Sequence, residues 1–196
     1  MRKYFLAALL AGAATAAATP AFAQEASPFS GIRVEGVVGY DTTDVEGDNS
    51  SGVAYGAGVG YDFQAGRVVL GVEGEVSDST LDECVTGVDV AGDELCVGAG
   101  RDLYAGGRIG YAVGRNVLLY GKAGYTNARV SLDYEDGTAG TALDFSQGEN
   151  LDGVRVGGGL EFAIGPNSYA KTEYRYSNYE QGFDRHQVLA GFGFRF

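Results

Sequence analysis

QVLAGFGFRF, residues 187–196, ends the sequence. Taken at period two, it places Val188, Ala190, Phe192, Phe194 and Phe196 on one face and Gln187, Leu189, Gly191, Gly193 and Arg195 on the other. A strand whose apolar face runs out to a free carboxyl end exposes that face to water whenever the end frays. Such a face is expected to meet lipid, and the rest of the chain is expected to repeat the pattern.

Composition agrees with strands. The 196 residues include 33 Gly and 13 Tyr, with no Trp and only 3 Pro, which suits Gly-punctuated strands better than helices. After the first two dozen residues no stretch approaches the roughly 20 apolar residues that a spanning helix needs. A formal charge of -12 argues against nucleic acid as a partner, because a phosphate backbone would be repelled. Two cysteines are too few for a disulfide-rich fold and lack metal-site spacing.

Residues 1–23 have the layout of a cleaved export signal: Arg2 and Lys3, an Ala/Leu-rich run, then Ala21-Phe22-Ala23 as an A-x-A site with cleavage after Ala23. Residues 24–196 are then one domain, and loss of Arg2 and Lys3 takes the formal charge from -12 to -14. Eight segments of alternating polarity follow, within residues 32–41, 53–63, 68–76, 102–113, 117–126, 154–164, 170–176 and 187–196. Seven of the eight are as long as the roughly 9 to 11 residues of a tilted membrane strand, and 170–176 reaches that length with the residues that flank it. Short connections at 64–66, 114–116 and 165–167 alternate with long ones at 42–51, 78–100, 131–150 and 177–184. The expected fold is all-β, an eight-stranded antiparallel up-and-down transmembrane β-barrel with both termini periplasmic.

Alternation also fits a soluble barrel with an apolar interior, so the polar face must decide. That face is largely Gly with one or two charges per strand, too sparse for a solvated surface and small enough for a narrow lumen. The other face then carries an aromatic girdle, including Tyr40, Tyr55, Tyr61, Phe63, Tyr111, Phe162, Tyr176 and Phe196. In this register Glu35, Glu73, Arg108, Lys122, Glu173 and Arg175 all point inward. They are expected in one layer as paired charges, with Glu73, Arg108 and Lys122 on consecutive strands.

Those residues carry a family resemblance. The inward Glu/Arg/Lys set, with YGKAGY at 120–125 and EYRY at 173–176, resembles the transmembrane domain of outer membrane protein A and its porin-family, opacity-type relatives. The likeness covers nearly all of residues 24–196. The run Phe192, Phe194, Phe196 resembles the closing strand of Gram-negative outer-membrane barrels. That resemblance implies that the barrel assembly machinery reads these residues, and that the protein resides in the cell outer membrane among its lipids.

Catalysis is not expected. Lipid-modifying enzymes on barrels of this size use a His beside a Ser and an acid; here the sole histidine, His186, faces outward near the rim, and nothing in the sequence brings Ser177 to it. No phosphate loop, cofactor motif or Cys/His metal constellation is present. The four long loops hold sixteen acidic residues and no Lys or Arg. They form either a plain solvated surface or one that recruits divalent cations, which prefer carboxylate oxygens. An extracellular partner of unspecified kind is expected at these loops. Cys84 and Cys96 fall in the second loop, where an exported chain is expected to close them into a disulfide; buried free thiols are the alternative. The functional expectation is a non-enzymatic barrel with a structural or surface-interaction role and a lumen plugged by side chains. A narrow porin-like channel is the alternative, and a lipid-modifying enzyme a remote one.

Overall fold

The structure, a computed structural model, describes residues 28–45, 48–80, 82–86, 94–135, 145–180 and 183–196. The expected export signal and its Ala23 site lie outside them. The strands are β1 (Gly31–Val45), β2 (Asp48–Ala65), β3 (Val68–Ser79), β4 (Asp82–Thr86), β5 (Glu94–Val113), β6 (Val117–Glu135), β7 (Phe145–Ala163), β8 (Ser168–Tyr179) and β9 (Asp184–Arg195). They pair antiparallel in the order β3-β2-β1-β9-β8-β7-β6-β5-β4, and a β3–β5 pairing closes the sheet on itself. Val68 to Ser77 and then Asp82 to Thr86 both lie along β5, so β3 and β4 are successive lengths of one stave. The result is a closed, all-antiparallel barrel of eight staves, and closure leaves no edge strand for other chains to pair with.

Strand lengths depart from the sequence reading. The segments assigned to long loops are in large part continued sheet: Val45 still faces Asp48, β5 already begins at Glu94, and β6 runs on to Glu135 opposite a β7 that begins at Phe145. Backbone N–H and C=O groups gain by pairing whether or not the side chains alternate, so a hairpin extends past the apolar belt. Gly, Asp and Ser in these stretches give no period-two signal to announce it.

The outer wall is apolar. Val59, Val72, Ile109 and Val156 are exposed between its two rims. Tyr40, Tyr55, Tyr125 and Tyr174 are exposed towards the long hairpins, and Tyr61, Phe63, Tyr111, Phe162, Phe194 and Phe196 towards the tight turns. Two aromatic bands flanking an aliphatic belt match a bilayer and its two interfaces.

Inside, apolar residues close both ends. Phe29, which precedes β1, folds into the turn end with Val69, Ala112, Leu118 and Tyr120. Ala128, Leu151 and Tyr179, backed by Val130 and Phe183, pack together at the hairpin end. The seam between first and last strands is fastened at Phe196, whose N–H donates to the Ile32 carbonyl at 2.8 Å and whose carbonyl accepts the Ile32 N–H at 3.2 Å. Gly31 makes the approach possible: its φ is 124°, and a Cβ there would collide with the Phe196 carbonyl oxygen.

Candidate functional site: the charged lumen

Between the two apolar closures, every stave points charged side chains inward. Eight cations (Arg33, Arg108, Lys122, Arg155, Lys171, Arg175, Arg185, Arg195) meet eight carboxylates (Glu35, Asp41, Asp62, Glu73, Glu75, Asp102, Glu161, Glu173) in one ion-pair system. All sixteen side chains are nearly inaccessible. The equal numbers matter: an unpaired charge at such a site would carry a desolvation penalty of several kcal/mol.

Nearest the tight turns, Arg108 donates to both oxygens of Asp62, with Nε to Oδ1 at 2.8 Å, and reaches Glu161 at 3.3 Å. Arg195 completes that layer, with Nη1 2.6 Å from Glu161 and Nη2 3.0 Å from Asp62. Arg33 joins it to the next layer, lying 3.2 Å from Asp62 and 3.0 Å from Glu35 and pairing also with Glu73. At mid-lumen two lysines bridge three carboxylates. Lys122 Nζ sits 2.6 Å from Glu73 and 3.1 Å from Glu173, and Lys171 Nζ sits 2.6 Å from Glu35 and 3.1 Å from Glu173. Tyr169 donates to Glu35 at 2.7 Å and Tyr120 to Glu173 at 2.5 Å, and the Lys122 ammonium lies 4.5 Å from the centre of the Tyr104 ring.

Arg175 then links Glu173 to Glu75, with Nη2 to Oε2 at 2.6 Å. Towards the hairpins Arg155 and Arg185 share Asp102, which also accepts from Thr126 at 2.7 Å and Tyr179 at 2.8 Å. Arg185 continues to Asp41 at 2.9 Å. One 4.0 Å contact, between Arg155 Nη1 and Glu75, joins this hairpin-end group to the rest of the network.

The six residues singled out from sequence all point into this lumen, but they do not form one layer. Lys122, Glu73, Glu173 and Arg175 are in mutual contact, and Glu35 joins them through Lys171. Arg108 stands apart, bound to Asp62 and Glu161, and makes no ion pair with Glu73 among the described residues. Register is the reason. Arg108 faces Gly71 on β3 and Gly71 faces Asp62 on β2, so the guanidinium crosses the glycine to the next stave. A Cβ on Gly71 would strike the Asp62 carboxylate and lie 3.3 Å from Arg108 Cγ. Glu73 is one pleat nearer the hairpins, opposite Gly106. The other ten members are not singled out by the sequence as a network, although period two puts all of them but Arg185 on the inward face; Arg185 falls between the fourth long loop and the last segment.

The geometry needed for hydroxyl activation is absent from this part of the wall. Ser177 faces the lumen, where its Oγ accepts the Arg155 Nε–H at 2.8 Å. His186 faces outward, with Nδ1 2.7 Å from the Tyr174 hydroxyl and its ring 5.0 Å from that of Tyr176. The two residues are thus on opposite faces of the sheet. Among the described residues no His/Cys/Asp/Glu group has the arrangement to hold a metal ion, and most of the acidic hairpin tips lie outside those residues. In the hairpin formed by β4 and β5 the backbone register sets Cys84 directly opposite Cys96.

Comparison with known proteins follows the architecture. A family model described as outer membrane protein beta-barrel domain matches residues 5–196. The 22 kDa outer membrane protein of Rhizobium leguminosarum bv. viciae is 27% identical over 194 residues, spanning 87% of this chain and 80% of that protein. The 25 kDa outer-membrane immunogenic protein of Brucella ovis is 28% identical over 141 residues, spanning 72% of this chain and 62% of its own length. Among solved structures, Neisserial surface protein A superimposes with a TM-score of 0.60 at 16% identity, over 85% of this chain and 98% of that one. The attachment invasion locus protein of Yersinia pestis, solved with the heparin analogue sucrose octasulfate, gives 0.55 at 17% identity over 85% and 99%. At those identities the two structures share the fold alone.

Proposed function

This chain belongs to the outer membrane protein beta-barrel domain family, and from that premise we propose that it is a non-catalytic, plugged barrel that anchors acidic hairpins at the cell surface. The observation that carries the reading is the charge-balanced network, eight cations against eight carboxylates, lying between two apolar closures. A solute crossing it would have to separate ion pairs held in a site of low dielectric, at a cost of about 3–5 kcal/mol for each pair broken. Conduction through an eight-stranded barrel is disfavoured further because its own side chains fill the bore. The reading as a surface anchor is supported by relatives named as outer membrane and outer-membrane immunogenic proteins.

In this proposal the long hairpins face the exterior and the tight turns the periplasm, the usual arrangement of such barrels. The acidic hairpins suit cationic partners or divalent ions and would repel a polysulfated ligand of the kind bound by the Yersinia protein. We further propose that Cys84 and Cys96 form a disulfide that stiffens the hairpin of β4 and β5. Directly opposed residues of an antiparallel pair have Cα atoms about 4.5–5.5 Å apart, inside the range of about 4.4–6.8 Å that a disulfide spans.

Planar-bilayer recording of the refolded protein tests the plugged lumen. The expected result is a quiet bilayer with at most brief, infrequent openings. Steady openings with solute selectivity would replace this reading with that of a narrow channel.

A further inference from the structure

The ion-pair network is thinnest at one level of the bore. Arg155, Arg185, Asp41 and Asp102 form a group of two cations and two carboxylates at the hairpin end, and the remaining six of each sign form the rest. Each group is neutral by itself. Among the described residues the ion contact that links them is that of Arg155 Nη1 with Glu75 Oε1, and at 4.0 Å it is too long for a hydrogen bond.

The same level holds buried polar atoms that no neighbour satisfies. Ser77, Arg155 and Gln187 are each more than nine-tenths buried. Among the described residues Ser77 Oγ, Arg155 Nη1 and both amide heteroatoms of Gln187 have no hydrogen-bond partner. Strand register brings them to one place. Gln187 faces Asp41 of β1 on one side and Arg175 of β8 on the other. Asp41 accepts from Ser79 at 2.7 Å, and Arg175 donates to Glu75 at 2.6 Å. Ser77 lies between Glu75 and Ser79 on the inward face of β3, so these two bridges across the bore enclose the Gln187 amide and the Ser77 hydroxyl between them. Arg155 reaches the same level, its Nη1 ending 4.0 Å from Glu75.

We propose that a pair of internal waters binds at this level, held by Ser77, Arg155, Gln187 and Glu75. Arg155 Nη1 only donates, the Glu75 carboxylate only accepts, and the Ser77 hydroxyl and Gln187 amide do both, so the ligand must both donate and accept. An ion of either sign would stand uncompensated between two neutral groups. Water meets both conditions, and a gap of 4.0 Å between donor and acceptor suits one bridging water. Ser77 Oγ, Arg155 Nη1, Glu75 Oε1 and the two Gln187 atoms are together about what two waters satisfy at roughly three bonds each. The inference rests on the plugged lumen and deepens it: at this level the plug is completed by water held between side chains. The two readings fail separately. A quiet bilayer without held water removes the water site and leaves the plug, whereas steady openings remove the plug.

The test is water-to-amide cross-relaxation in the full chain, labelled with ¹⁵N-glutamine and refolded in detergent micelles. Gln24, Gln64, Gln147, Gln181 and Gln187 are the glutamines of the chain, and Gln187→Met assigns the side-chain signal of interest by its loss. The Gln187 amide protons should show a cross-peak to water, of the sign that only a water held for longer than nanoseconds gives. Its absence in the parent overturns the proposal, and this arm needs no variant beyond the assignment. Ser77→Ala should keep the cross-peak; its loss would trace the signal to the serine hydroxyl and overturn the proposal as well. Relaxation dispersion of ¹⁷O does not see hydroxyl exchange. By that measurement Gln187→Met should hold about one or two fewer long-lived waters than the parent, and equal dispersions would sink the site. A heat-dependent gel shift verifies folding of each variant.

Discussion

Lys122 shows how much one lumen residue holds. Its ammonium stands 2.6 Å from Glu73 and 3.1 Å from Glu173, over the Tyr104 ring. Lys122→Ala leaves carboxylates short of a cation and opens a cavity, and should lower stability by about 3–5 kcal/mol. Lys122→Met also removes the charge but keeps most of the volume, so its loss should be smaller. Urea midpoints of the refolded proteins decide it, and midpoints matching the parent for both variants would mean that water reaches Lys122. Gly31 makes a different demand. With φ at 124° and the terminal carbonyl against it, Gly31→Ala meets both backbone strain and a collision. We expect a loss exceeding about 1–2 kcal/mol, seen as a lower temperature for the gel shift from folded to unfolded mobility. An unchanged temperature would show that the β1–β9 seam can shift by a fraction of an ångström without cost.

At the scale of an element, the last strand and the hairpin of β4 and β5 behave oppositely. Deleting Phe196 removes two seam hydrogen bonds and an aromatic side chain that is 72% exposed on the lipid face. Deleting one residue from a hairpin tip removes little that the barrel uses. The Phe196 deletion should therefore cut the yield of heat-modifiable protein in the outer membrane far more, and normal yield would remove any assembly role for that residue. For the hairpin, a Cys84 to Cys96 disulfide would close a short loop and reduce the open chain's entropy by on the order of 3 kcal/mol. The barrel gains little, since its staves are held by the closed sheet. Alkylation should label neither thiol until the protein is reduced. Reduction should then raise protease cleavage between Asp78 and Gly100 while leaving the barrel's thermal transition nearly unchanged; labelling of both thiols beforehand would rule the bridge out.

For the whole molecule, the balance of charges inside and the excess outside predict different responses to salt. Mobile ions screen exposed charges over about 10 Å at 0.1 M but cannot enter a filled lumen. Raising sodium chloride from about 0.05 to 0.5 M should change the urea midpoint little, because the ion pairs that matter are inaccessible. A marked fall with salt would indicate that the network is solvated, and would weaken the case for a plugged bore by an independent route.

Much of this design is set by local sequence. Period two fixes which side chains share a face, so the lipid belt, the aromatic bands and the inward direction of Glu35, Glu73, Arg108, Lys122, Glu173 and Arg175 follow from parity. Turn residues at 64–66, 114–116 and 165–167 mark where the chain reverses. The tertiary structure alone decides the rest, because it depends on register between strands far apart in sequence. Arg108 reaches Asp62 over Gly71 and not Glu73, Arg33 bridges two layers through Asp62 and Glu73, and Phe29 folds back into the bore, each through contacts between residues far apart in sequence. Hairpins lengthened past the apolar belt were hidden for a related reason: backbone pairing carries no side-chain signature. A one-dimensional pattern tells which way a residue points, whereas its height in the barrel and its partner are set by the stagger of closed strands, which only the folded sheet defines.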